Sequence, residues 1–244
     1  MRPVTHSPPW LTAAERWACA SSEPLTLRAW LSAPLAWDPY NGVSCEGALQ
    51  YAVVSLASGM DPEEAFADAP RDSLTPIPIP IADQDMAGYP IALASWAQPA
   101  PGAKEDVRMR RKRARAESYG LAKVNVAMAE YKSEQIPIPT LVAAWVDFHV
   151  VGNRALLTEL LPDVSHIGRC RSGGLGCVMG WEILADPQQR SLLEQGRLMR
   201  AIPSGADIHP RPGTFAVRKA TTRAPYWHRA SLADCMVPIV RVAT

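Results

Sequence analysis

The sequence predicts an α/β (α+β) domain in which two strand–helix units close one sheet. Three observations carry this. Residues 25–34 alternate apolar and polar side chains and lead into a helical repeat ending at Gly59; residues 136–153 alternate again and lead into a short helix; a glycine-rich loop then enters a closing apolar strand. With one more strand from the proline-punctuated stretch between them, the order is βαββαβ, that of a ferredoxin-like fold. Its two helices cover one sheet face and leave the other open to a partner.

Each element has its own signal. Residues 1–24 form an N-terminal extension with a short helical piece, LTAAERWACA, carrying Trp17. In LTLRAWLSAP, Leu25, Leu27, Ala29 and Leu31 alternate with Thr26, Arg28, Trp30 and Ser32, the period of a half-exposed strand. CEGALQYAVVSLASG is apolar at helical spacing. From Met60 to Gln98, prolines favour extended segments and edge strands, and no helix is expected. Residues 100–135, polar and with little sustained period, form an inserted thumb lobe. IPIPTLVAAWVDFHVVGN, Ile136–Asn153, reads as one long strand, and Asn153 caps RALLTELL, which places Leu156, Leu157, Leu160 and Leu161 on one face. CVMGWEILA closes the domain at residue 185, and residues 186–244 are a C-terminal extension packing on it.

Composition excludes several classes. At 48% hydrophobic with a formal net charge of +1, the 244 residues suit a globular protein with no global attraction to polyanions, so any nucleic-acid binding must come from local patches. Five cysteines, at 19, 45, 170, 177 and 235, form no CxxC pair and read as reduced thiols of a cytoplasmic protein. No run has the length of a membrane span. His166, Cys170 and Cys177 fit no zinc spacing, and neither a metal nor a cofactor is expected.

Two patches stand out. In IGRCRSGGLGCVMGW, glycines permit positive φ and close approach, so amide N–H groups can converge on an anion beside Arg169 and Arg171. The loop precedes a strand and lacks GK[ST], which excludes a P-loop and a dinucleotide fingerprint. KEDVRMRRKRAR, Lys104–Arg115, sets seven basic residues against two acidic ones. A thumb and a loop of this kind can grip one nucleic-acid strand from two sides. The expected RNA contacts are Gly168, Arg169, Arg171, Ser172, Gly173, Gly174 and Gly176 on the loop, and Arg108, Arg110, Arg111, Lys112, Arg113 and Arg115 on the lobe. Trp30, Trp37, Trp145 and Trp181 have rings that can stack on bases, but in or beside strands they are expected mostly as core.

The pattern IGxxRxxGxGxVxxW between a helix and a strand resembles the RAMP superfamily of CRISPR-associated proteins, with Ile167, Gly168, Arg171, Gly174, Gly176, Val178 and Trp181 at the matching positions. More narrowly, the chain resembles the type IV effector subunit of the group that caps the 5′ handle of the CRISPR RNA. The resemblance implies a non-catalytic subunit that contacts the handle, the backbone RAMP subunit and the large subunit, and meets target DNA through the complex. Cys170 stands where such loops commonly carry a basic residue. Two other readings of the signals are a metal-independent endoribonuclease using His149 or His166 as general base, and an unrelated ferredoxin-like interaction domain.

Overall fold

The structure, a computed structural model, describes residues 9–38, 42–65, 77–112, 134–223 and 232–239. Helix α1 (Trp10–Ala14) leads to β1 (Glu23–Leu31) and the short β2 (Leu35–Ala36). Helices α2 (Glu46–Ser58) and α3 (Pro62–Ala65) precede a hairpin, β3 (Asp83–Met86) and β4 (Tyr89–Ala92), and then β5 (Gln98–Pro99). A longer hairpin follows, β6 (Lys104–Lys112) with β7 (Glu134–Val142), before β8 (Trp145–Gly152), α4 (Arg154–Leu160) and β9 (Val178–Ala185). The C-terminal part holds β10 (Leu193–Glu194), β11 (Arg197–Leu198), β12 (Ile202–Pro203), β13 (Phe215–Thr221) and β14 (Leu232–Pro238).

The central sheet runs β5-β8-β1-β9, and its paired strands are antiparallel. The fold is α+β of the ferredoxin-like kind: each helix carries the chain across one intervening strand, so the first and third strands of the βαββαβ series lie side by side. Alternation on β1 decides the faces. Leu25, Leu27 and Ala29 are fully buried and pack with Leu49 and Val53 of α2 and with Leu157 and Leu160 of α4. Thr26, Arg28 and Trp30 project to the other side. Helix ends follow their local chemistry: Gly59 closes α2 at φ 66°, and the Asn153 side chain accepts from the Leu156 N–H at 3.1 Å to start α4.

Several expectations need correction. Residues 136–153 form two strands, not one. Leu141 is fully buried whereas Val142 is 46% exposed, so the alternation seen on β8, where Val146, Phe148 and Val150 are buried, inverts at the junction where the chain leaves one sheet for the other. A period of two continues through such a bend, so it conceals the break. The start of the thumb is a regular strand. Lys104 to Lys112 pair residue for residue with Val142 back to Glu134; Lys104 to Arg110 are all exposed, so β6 has no buried face to show in its pattern, and the hairpin reaches the core only at its root, through Leu141 of β7. Between Met60 and Gln98 a helical turn, α3, does occur; Asp61 accepts from the Glu64 and Ala65 amides and Pro62 needs no N–H partner at a helix start. The proline-rich stretch supplies β3, β4 and β5, with isolated bridges Ile81 to Gly152 and Ala94 to Val150 along the same edge of the sheet. Proline cannot donate to a ladder, which keeps that edge interrupted.

The C-terminal residues build a three-stranded sheet, β12-β14-β13, with two small clusters of its own, one of which takes in Met86 and Ile91 of the β3–β4 hairpin. Arg200 is buried and ties this part to α2: Nη1 donates to Glu46 Oε1 at 2.9 Å and to the Ala94 carbonyl at 3.0 Å, and Nη2 donates to the Thr222 carbonyl at 2.9 Å. Among the described residues no helix is long and apolar enough to cross a membrane.

Candidate nucleic-acid interface

Both basic segments are anchored on β2. On one side, Leu35 and Ala36 pair with Leu141 and Thr140 of β7, the root of the basic hairpin. On the other, the glycine loop closes onto the same residues: the Gly176 N–H donates to the Pro34 carbonyl at 2.9 Å, and a Cβ added at Gly168 would stand 2.9 Å from Leu35 Cδ1. Loop and hairpin root therefore both pack on β2, whose two residues are buried between them. This proximity follows from the register of a two-residue strand that the turn-rich LAWDPYNG does not reveal.

The loop is held by its own backbone. The Gly173 and Gly174 amides donate to the carbonyls of Cys170 and Arg171 at 2.9 Å, and the Ile167 amide donates to the Gly176 carbonyl at 2.9 Å. Gly174 and Gly176 take φ of 75° and 67°, and Cys170, without glycine's freedom, takes 60°. The amides expected to converge on an anion at Gly173, Gly174 and Gly176 are thus engaged by carbonyls. The loop presents its arginines instead. The Arg171 guanidinium lies 4.4 Å from the centre of the Tyr51 ring on α2, and Arg169 reaches to 3.9 Å from Asp38. Ser172 is exposed on the same turn.

On the hairpin, Lys104, Asp106, Arg108 and Arg110 alternate with Glu105, Val107 and Met109, so Arg108 and Arg110 share a face, opposite Ile138 and Ile136. Both arginines are exposed, and among the described residues neither meets a carboxylate. The backbones of Arg111 and Lys112 continue the ladder; Arg113 and Arg115 lie outside the described residues.

The sheet face away from the helices is only half open. His149, 3% exposed, meets Thr26 Oγ1 at 3.0 Å and Asp186 at 3.5 Å, its amide donates to Ser95 Oγ at 2.8 Å, and Arg190 binds Asp186 at 2.9 Å. Burial, and then the Arg190 charge, hold the imidazole below its ordinary pKa. The C-terminal segment thus closes that end and removes His149 from solvent. His166 sits at the loop and hydrogen-bonds Ser165 Oγ at 3.0 Å. Trp37 is buried and Trp181 packs on the core, donating Nε1 to the Val164 carbonyl at 2.9 Å, as expected of core tryptophans. Trp30, exposed, departs from that expectation, and half-buried Trp145 sits beside it. Tyr51 and Asp38 gave no sequence signal, because each becomes part of the site only through a partner distant in the chain.

Residues 95–238, more than half of the chain, match the model of the family described as CRISPR type IV associated protein Csf3. The match begins just before β5 and takes in the basic hairpin, the glycine loop and the C-terminal sheet. No curated protein matches the chain. A family match that covers more than half of the chain and spans both basic segments places the chain in a definite group, and it belongs to the CRISPR type IV associated protein Csf3 family, components of the type IV CRISPR complex.

Proposed function

We propose that this chain is a non-catalytic, RNA-binding RAMP subunit of a cytoplasmic type IV CRISPR ribonucleoprotein. It caps the 5′ handle of the CRISPR RNA, contacts the backbone and large subunits, and meets target DNA through them. The observation that carries this reading is the convergence of two arginine-bearing segments, the hairpin with Arg108 and Arg110 and the loop with Arg169 and Arg171, on one short strand in a chain of net charge +1. Neutralising a phosphate releases counterions, so two adjoining basic segments suit a backbone better than a single small anion. Burial of His149 disfavours it as the general base of a ribonuclease, since such a group needs to reach its substrate, and leaves that role to His166, partly exposed beside the loop.

The test is salt dependence together with the identity of the bound RNA. RNA co-purified with the assembled complex is expected to share a repeat-derived 5′ end; random cellular fragments would overturn handle capping. Each phosphate contact contributes about 0.7 to the slope of log K against log salt for a single strand. Alanine at Arg108, Arg110, Arg111, Lys112, Arg113 and Arg115 together is expected to flatten that slope. An unchanged slope in a folded variant returns the hairpin to a solvated surface.

A further inference from the structure

We propose that Trp30, Trp145 and Arg28 form a stacking site for one unpaired nucleobase of the bound RNA, on the uncovered end of the central sheet opposite α2 and α4. The inference rests on the RNA-binding reading above. Trp30 on β1 stands directly opposite Trp145 on β8, with ring centroids 5.0 Å apart and planes inclined at 54°. The rings are therefore not stacked flat on each other, and Trp30 keeps 36% of its surface exposed while Leu27 and Ala29 beside it are fully buried. Trp145 beside it is half-buried, so the exposed ring is that of Trp30, which forgoes part of the stabilisation that so large an apolar group gains when buried.

Arg28 is held in place for the same site. It lies one pair further along, opposite Asp147, whose carboxylate accepts from Nε at 2.9 Å and from Nη2 at 3.0 Å. Its guanidinium centre is 4.7 Å from the Trp145 ring centre and 5.9 Å from that of Trp30. Aromatic rings and a fixed guanidinium plane on an open sheet are the surface on which splayed bases stack.

Charge separates base from backbone. Opposite Arg28 on β9 stands Glu182, exposed, so this face sets one cation against the two carboxylates of Asp147 and Glu182. That balance repels phosphate while offering acceptors to the exocyclic amine of a base. The phosphates have their place nearby: only Ala143 and Ala144 separate β7 from β8, and the Leu31 amide donates to the Ala144 carbonyl at 2.9 Å, so the tryptophans lie at the root of the basic hairpin.

The experiment compares, for the full chain, a short unstructured RNA with an abasic strand of the same length and charge. Wild type is expected to prefer the base-bearing strand. Trp30→Leu is expected to cut that preference by about 5-fold to 150-fold, the range for loss of one stacked base, while leaving abasic affinity and salt slope intact. Trp30→Phe is expected to restore most of it. Independently of any variant, photocrosslinking of wild type with 4-thiouridine RNA is expected to label peptides carrying Trp30 or Trp145. Salt-sensitive binding with no base preference, a preference that survives Trp30→Leu, or crosslinks that miss both peptides would overturn the stacking site and leave the RNA-binding reading standing. No RNA binding at all would overturn both. If Trp30→Leu instead abolishes co-purification with a neighbouring subunit at unchanged RNA affinity, the tryptophans are a protein contact and the proposal fails.

Discussion

Gly174 and Gly176 stand two residues apart with nearly the same positive φ, yet they answer to different constraints. A Cβ at Gly174 meets nothing within 4 Å, so Gly174→Ala incurs only the left-handed backbone penalty, about 1–2 kcal/mol. At Gly176 the same atom would stand 2.0 Å from the Ile167 carbonyl oxygen, which is backbone and cannot rotate away. Gly176→Ala is therefore expected to lose at least about twice as much stability in urea unfolding, because the clash adds to the φ penalty. Equal losses would mean that the loop relaxes freely. RNA affinity per folded molecule should change little for Gly174→Ala, since its amide already donates to the Arg171 carbonyl.

At the scale of elements, the C-terminal segment sits on the sheet through His149, Asp186 and Arg190, and this contact makes its stability depend on pH. Burial lowers the folded-state pKa of His149, so between that value and the unfolded value, about 6.5, the unfolded chain binds more protons. Stability is then fully present above about pH 6.5 and declines as pH falls towards the folded pKa, at up to about 1.4 kcal/mol per pH unit. Urea midpoints measured between neutral and mildly acidic pH are expected to fall for wild type and to fall less for His149→Gln. A variant as pH-sensitive as wild type would assign the dependence to other groups. Of the elements themselves, β1, α2 and α4 were legible because each buries one face and keeps a single period, and β9 because a mostly apolar stretch follows the glycine loop. Strand β6 was not, because a strand exposed from Lys104 to Arg110 has no buried face to set a period.

For the whole molecule, the pair Glu46 and Arg200 joins the ferredoxin-like core to the C-terminal sheet through a contact from which water is excluded. Desolvation makes such a pair weak as net stabilisation but costly to break. Arg200→Met, which leaves Glu46 buried without its cation, is expected to destabilise by about 3–5 kcal/mol and to speed proteolysis of the C-terminal residues. Adding Glu46→Gln should recover part of the loss. A double variant no better than the single one would show that the carbonyls of Ala94 and Thr222, left without their donor, dominate.

The sequence by itself determined the order β1, α2, α4, β9 along the central sheet, the capping of α2 and α4, the glycine loop at the entrance to β9 and the two basic runs. These depend on neighbours a few residues apart, where periodicity and turn chemistry act directly. Tertiary structure alone decided that β2 holds the loop against the hairpin, that Arg171 lies over Tyr51, that His149 is closed off by Asp186, and that Trp30 faces Trp145 across two strands. Each joins residues far apart in the chain, and which of many compatible partners meet is set by sheet order and register. The open face showed this most clearly: alternation placed Arg28 and Trp30 on it, and only the pairing of β1 with β8 brought Asp147 and Trp145 beside them.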